Sequence, residues 1–269
     1  SARNLITEIL IEGSFDIVVE GNYIGTDVTG SRALGQTLGI GTNGSPGNNT
    51  SGLRIHRNLI SGNETGIGLG YSSDFLITGN LIGTDASGAK AVPNGAGMQF
   101  VTADGNIGGT TPAARNVISG NLRQGINIER GSSALIQGNY IGVSASGAAA
   151  VPNRTGVEVK FTAGIGGSIV EARNVISGNL SDGIAVLNGW ATIKGNFIGT
   201  DAGGTLPIPN NGNGVIISAV QLPSNSFIGG PGQNEGNLIS ANGENGIAIG
   251  PLRTYVDDKQ MLVTTFGGV

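Results

Sequence analysis

Apolar residues along this chain come in short bursts, alternating with polar or glycine positions and closed by Gly, Asn, Asp or Ser. The stretch 66–94, GIGLGYSSDFLITGNLIGTDASGAKAVPN, shows the pattern: short alternating runs, a turn, an apolar pair, and another turn. Alternation over roughly four to six residues marks half-buried strands, and nowhere does a 3.6-residue apolar period persist for the roughly 10–15 residues a helix needs. The chain therefore reads as all-β, without βαβ units or helical bundles.

The bursts also recur. GNYIGTD (21–27), GNLIGTD (79–85), GNYIGVS (138–144) and GNFIGTD (195–201) return about every 58 residues. A second phrase interleaves with them: RNLISGN at 57–63, RNVISGN at 115–121 and 173–179, GNLISAN at 236–242, and RNLI from Arg3. Together they give units of about 29 residues. Such a unit is too short for a four-stranded propeller blade but fits one circuit of a parallel β-helix with two or three short strands. The expectation is one such solenoid over 1–250, about eight circuits, with 251–269 as an irregular C-terminal strand or cap. At the strand spacing of about 4.8 Å, eight circuits make a rod roughly 40 Å long.

Stacking turns sequence positions into columns. Ile60, Ile82, Ile118, Ile141, Ile176, Ile198 and Ile239 share one place in the NxI phrase and are expected to fill an interior column, with Ile217 on an opening strand. Asn22, Asn58, Asn80, Asn116, Asn139, Asn174, Asn196 and Asn237 stand two places earlier, a ladder in which amides bond from rung to rung. Asn63, Asn121, Asn179 and Asn242 do the same at the next corner. Between ladder and core lie Tyr23, Leu59, Leu81, Val117, Tyr140, Val175, Phe197 and Leu238, an outward apolar stripe too long to be left bare. The long loops after it carry Leu34, Val92, Val151 and Ile208 and are expected to lie down on it; a neighbouring domain, a second copy or a sugar are the other covers.

Composition narrows the function. Charged residues are 12%, Gly is 50, Cys is 0, the formal charge is -4 and the pI is near 5.0. Nucleic-acid recognition needs a basic footprint that this chain lacks, and without cysteine there is no disulfide, zinc–thiolate cluster or thiol nucleophile. No apolar run reaches the roughly 20 residues of a membrane span, and the N-terminal SARNLITEIL has no secretory pattern. The chain opens inside a repeat phrase, as a processed product or excised domain would.

The phrases GNYIGTDVTG, NIGGTTPAARNVISGN, NVISGNLSDGIAV and GNFIGTDAGG resemble the right-handed parallel β-helix (pectate-lyase-like) superfamily, specifically bacterial secreted or surface proteins with these tandem repeats. The likeness covers nearly all of the chain to about residue 250. It implies the right-handed, single-stranded form of the solenoid, an extracellular or cell-surface location, and a polysaccharide or cell-surface component as partner, with a neighbouring domain or self-association beside it. The superfamily includes polysaccharide lyases, epimerases, glycosidases, phage tailspikes and adhesins. Its lyases use a Lys or Arg base with acidic groups that bind Ca²⁺ or neutralise the substrate, a dense set not matched here.

Candidate chemistry is accordingly dispersed. Asp27, Asp85 and Asp201 repeat in GTD and offer carboxylates for Ca²⁺, although bonding their own turn is the simpler role. Arg57, Arg115 and Arg173 form a column able to meet a carboxylated glycan or to cap turn carbonyls. His56 is the only histidine, without a carboxylate beside it in sequence. Glu129, Glu158 and Lys160 are placed on one face by stacking and form the best enzymatic candidate, with Arg130 and Trp190 as further binding candidates. Asp257, Asp258 and Lys259 form the densest ionisable run, in the segment that departs from the repeat. The expected function is a structural, adhesive or glycan-recognition module without cofactor; the alternative is a polysaccharide lyase, epimerase or hydrolase, using Ca²⁺ if a lyase.

Overall fold

The computed structural model describes residues 3–218 and 225–250. They wind as a right-handed parallel β-helix, and every pairing between named strands is parallel. The first sheet stacks nine two-residue strands, from Leu5–Ile6 through Tyr23–Ile24 and Leu59–Ile60 to Leu238–Ile239. Nine such rungs enclose eight circuits. The other sheet has 16 strands in two arms, because Thr65–Thr78 and Ala96–Gly108 bend continuously round a corner that later circuits break into paired short strands such as Gln124–Ile128 and Ser133–Gln137.

Alternation decides which side chains go inside. Ile24, Ile60, Ile82, Ile118, Ile141, Ile176 and Ile198 are all 0% exposed and pair rung to rung. Ile217 lies in a separate column on the strand Val215–Ser218, as its place outside the NxI phrase implies. Larger voids are filled by aromatics: Phe75 and Phe100 stack with ring centroids 4.9 Å apart.

The asparagine ladder runs unbroken. Asn80 accepts the backbone N–H of Asn58 at 3.0 Å, then donates its own amide nitrogen to Ile55 O, Thr78 O and Asn116 Oδ1. Every polar atom of such a side chain is engaged, which is what its complete burial requires. Successive ladder partners are separated by 36, 22, 36, 23, 35 and 22 residues. The 29-residue unit is thus an average of short and long circuits. The long ones contain the GTD-type loop, and two of them also carry a one-turn 3₁₀ segment, Pro112–Ala114 and Val170–Ala172.

The second ladder explains how two circuit lengths share one axis. Asn63 bonds to Asn94, Asn94 to Asn121, and the series continues through Asn153, Asn179 and Asn210 to Asn242. Asn94, Asn153 and Asn210 close the GTD loops, in the PN dipeptides. Each loop is therefore an excursion that leaves the corner and returns to it in register. Departure requires a left-handed residue: Gly83 has φ +86, and a Cβ there would come 2.3 Å from Asn121 Oδ1.

Candidate functional site

The apolar stripe lies outside the core, and it is covered. Tyr23, Leu59, Val117, Tyr140 and Val175 are buried, and Leu81, Phe197 and Leu238 are half-buried. Val92, Val151 and Ile208 are buried at the ends of their loops, with Ile208 packed in a cluster with Val117, Tyr140 and Val175. The loops also stack on one another: Ala86 N–H donates to Gly30 O, Ala145 N–H to Gly88 O, and Ala202 N–H to Gly147 O. Leu34 differs, at 58% exposure. Gly120 and Gly178 of the Ser-Gly-Asn corners donate to Val151 O and Ile208 O, whereas the rung before Leu34 carries Thr7 and Glu8 in place of such a corner.

Arginine covers the other flank of the stripe. The Arg115 guanidinium lies 4.2 Å from the ring centroid of Tyr140, and that of Arg173 lies 4.0 Å from Phe197. Their Nε groups donate to Gly138 O and Gly195 O on the next rung. On the rung after Arg57 the stripe residue is Leu81 rather than an aromatic, and Arg57 pairs with Glu20 at 3.2 Å. In Arg115 and Arg173 one face of the cation is thus taken by an aromatic ring and one nitrogen by a turn carbonyl.

The GTD carboxylates close their own loops. Asp27 Oδ1 accepts the Thr29 hydroxyl and the backbone N–H groups of Ser31 and Arg32, and these bonds hold its pKa below the ordinary 3.8. At Asp85 partial burial pushes the pKa up, but the Ser87 hydroxyl and the Lys90 and Ala89 amides outweigh it and the net shift is downward. Asp201 accepts from Leu206 and Thr205, again lowering its pKa. Ser144 interrupts the series by pairing with the Ser146 hydroxyl. Among the described residues no group of three or more His, Cys, Asp or Glu comes together to hold a metal.

Glu129, Glu158 and Lys160 do converge. Lys160 Nζ lies 2.8 Å from Glu129 Oε1 and 2.8 Å from Glu158 Oε1. Gln124 Nε2 donates to Glu158 Oε2 and Asn127 Nδ2 to Glu129 Oε1. Burial alone would raise the Glu129 pKa, yet the bonds from Lys160 and Asn127 bring it below the ordinary 4.5. For Lys160 burial acts downward and the two carboxylates reverse it, so its pKa is raised above 10.5. Both shifts favour the charged forms, the opposite of what a general acid carboxyl or a neutral lysine base needs. Arg130 stands next in sequence, exposed.

His56 receives from the fold the carboxylate that its sequence neighbours lack. Glu20 pairs with it across the rung, Oε1 lying 3.4 Å from Nδ1, and the same oxygen holds Arg57. Asp257, Asp258 and Lys259 lie outside the described residues, as does all of 251–269.

One face breaks the pattern of covered or self-bonded side chains. The strand Trp190–Lys194 turns Trp190 and Thr192 outward and buries Ala191 and Ile193. Trp190 pairs with Thr162 on the rung before, and Thr192 pairs with Phe227 on the rung after. Trp190 is 49% exposed, Phe161 47% and Phe227 65%. Leu135, also exposed, lies against Gly164, where a Cβ would come 3.0 Å from its Cδ1. A shallow recess opens here, lined by Thr162, Trp190, Thr192, Asn225 and Phe227 over Ala163 and Ala191. Trp190 was visible in sequence as a binding candidate, and it stands at the start of a strand; Phe161 and Phe227 were not singled out, because only the winding of the chain brings them near it.

No family profile matches the chain, and no curated protein matches it. Among solved structures it is similar to HetL, a pentapeptide repeat protein involved in heterocyst differentiation regulation from the cyanobacterium Nostoc sp. strain PCC 7120. The identity is 11%, with 83% of this chain and 88% of that one covered and a TM-score of 0.25, a likeness too slight to carry an argument. No described helix is long and apolar enough to cross a membrane.

Proposed function

We propose that this chain is a structural and adhesive β-helix module of an extracellular or cell-surface protein, and that it recognises polysaccharide along its outer faces. The observation that carries the reading is the contrast between faces. Nearly every polar column is consumed in ladders, loop closure or ion pairs, while one arm of the second sheet leaves Trp190 and Phe227 in solvent and the bend beside it leaves Phe161. A rigid lattice of rungs about 4.8 Å apart suits broad contact with an extended polymer. The resemblance of the GNYIGTD and ARNVISGN repeats to secreted and surface β-helix proteins points the same way.

The test is retention of the full chain on a panel of insoluble and soluble polysaccharides, neutral and uronate, with unsaturated products and new reducing ends followed in the same samples. The reading expects retention without turnover. Turnover of any member would replace it by a lyase or hydrolase, and failure to be retained by all would remove the glycan from it.

A further inference from the structure

Among the described residues, four aromatic side chains are exposed: Phe15, Phe161, Trp190 and Phe227. Trp190 and Phe227 fall on consecutive rungs of one arm, and Phe161 stands in the bend just before the preceding rung, which begins at Thr162. Trp190 is also the one tryptophan of the chain. Large apolar rings cost free energy in water and normally lie in a core, as Phe75 and Phe100 do here, so Trp190 and Phe227 together on one face, with Phe161 in the bend beside it, call for a ligand.

The recess between Trp190 and Phe227 combines ring surface with neutral polar groups. The hydroxyls of Thr162 and Thr192 and the amide of Asn225 make no hydrogen bond among the described residues, leaving donors and acceptors at the rim. None of the lining residues is charged. The cation on the strand Trp190–Lys194 is Lys194 itself, which is held by Glu235 at 3.0 Å. Glu235 in turn accepts from Ser168 and Gly232. A uronate entering the recess would therefore lose hydration without meeting an unengaged counter-charge.

We propose that this recess is a subsite for one ring of a neutral polysaccharide, the C–H face of the pyranose stacking on the Trp190 indole and its hydroxyls bonding Thr162, Thr192 and Asn225. The proposal rests on the glycan reading above and deepens it by naming the place and the charge class. A flat aromatic flanked by polar groups is the usual lining of a site that orients a half-apolar ligand. Phe227, diagonal to Trp190 across the rung, walls the side of the ring.

The single tryptophan makes the test direct. The full chain is titrated with neutral β-glucan, mannan and galactan hexasaccharides and with oligogalacturonate and oligomannuronate of equal length, reading Trp190 emission and its quenching by acrylamide. A saturable blue shift with protection from the quencher is expected for at least one neutral member. By calorimetry, Trp190→Ala should weaken that binding by about tenfold or more, and Phe227→Ala by severalfold, with Phe15→Ala unchanged. These side chains are exposed, so the circular dichroism of the variants should match the parent. Uronate bound in preference to neutral sugar overturns the charge class. Glycan retention that Trp190→Ala leaves intact overturns the site while the glycan reading stands. Loss of retention by the parent chain removes both. An emission shift driven by protein concentration alone would identify the occupant as a second copy and also overturn the proposal.

Discussion

The central asparagine of the ladder allows a quantitative test. Asn116 is 0% exposed; its Oδ1 accepts Asn80 N at 2.9 Å and Asn80 Nδ2 at 3.0 Å, and its Nδ2 donates to Ile77 O at 2.8 Å and Asn139 Oδ1 at 2.9 Å. In Asn116→Ala the backbone N–H of Asn80 and the carbonyl of Ile77 lose their side-chain partner deep in the rod. Each buried polar group left without a partner costs about 1–3 kcal/mol, so the loss should be about 3 kcal/mol. Asn237 closes the same ladder at its far end, accepting Asn196 N at 3.0 Å and donating to Ile193 O at 2.8 Å, but it is only half-buried. Water can replace its bonds, and Asn237→Ala should cost about 1 kcal/mol or less. Urea unfolding followed by far-ultraviolet circular dichroism, with Trp190 emission as a second probe, measures both. Equal losses for the two variants, or a loss below about 0.5 kcal/mol at Asn116, would refute the idea that stacked amides are structural bonds whose value depends on burial.

Further outcomes follow from the same geometry. Arg173→Lys keeps the charge but gives up the planar contact with Phe197 and the Nε bond to Gly195 O, and should lower stability by about 1 kcal/mol in the same urea assay; an unchanged midpoint would count against the stacking. Lys160→Met leaves Glu129 and Glu158 facing each other and should cost about 1–2 kcal/mol, with the Glu129 carboxyl titrating higher than in the parent by carboxyl NMR. The Glu235 carboxylate, held by Gly232 N–H, Ser168 and Lys194, has its pKa lowered from 4.5 to about 2. Its stabilising contribution is therefore complete above the unfolded value and is lost as pH falls through the folded one, and an NMR titration midpoint near 4.5 would contradict the contacts.

Much of this architecture is written in the repeat. The Ile column and the first asparagine ladder follow from two phrases because a solenoid makes residues one circuit apart into vertical neighbours. The loop cover over the stripe follows from the same spacing, for an apolar column needs burial and Val92, Val151 and Ile208 are the apolar residues within reach. Asn94, Asn153 and Asn210 are not found from the repeat, which gives the second ladder as Asn63, Asn121, Asn179 and Asn242 alone; an average unit of 29 residues hides them, since the true circuits alternate between short and long. The site is less legible. The partner of His56 comes from a rung 36 residues earlier, and the grouping of Phe161, Trp190 and Phe227 depends on bends whose residue count differs between circuits. The stacking of Arg115 and Arg173 on Tyr140 and Phe197 required knowing that the arginine of one circuit leans over the stripe of the next.

The winding itself is tested most directly by cross-linking, and the absence of native cysteine makes the experiment clean. Ser133 and Thr162 are parallel register partners on adjacent rungs, while Ser133 and Trp190 stand two rungs apart in the same column. Adjacent rungs bring Cα atoms to about 4.8 Å, within the range a disulfide spans, and two rungs separate them by nearly 10 Å. Mild oxidation should join Ser133→Cys to Thr162→Cys within one chain and leave the pair Ser133→Cys and Trp190→Cys reduced. Failure of the first pair to link, or equal linking of both, would contradict a chain wound about a single axis.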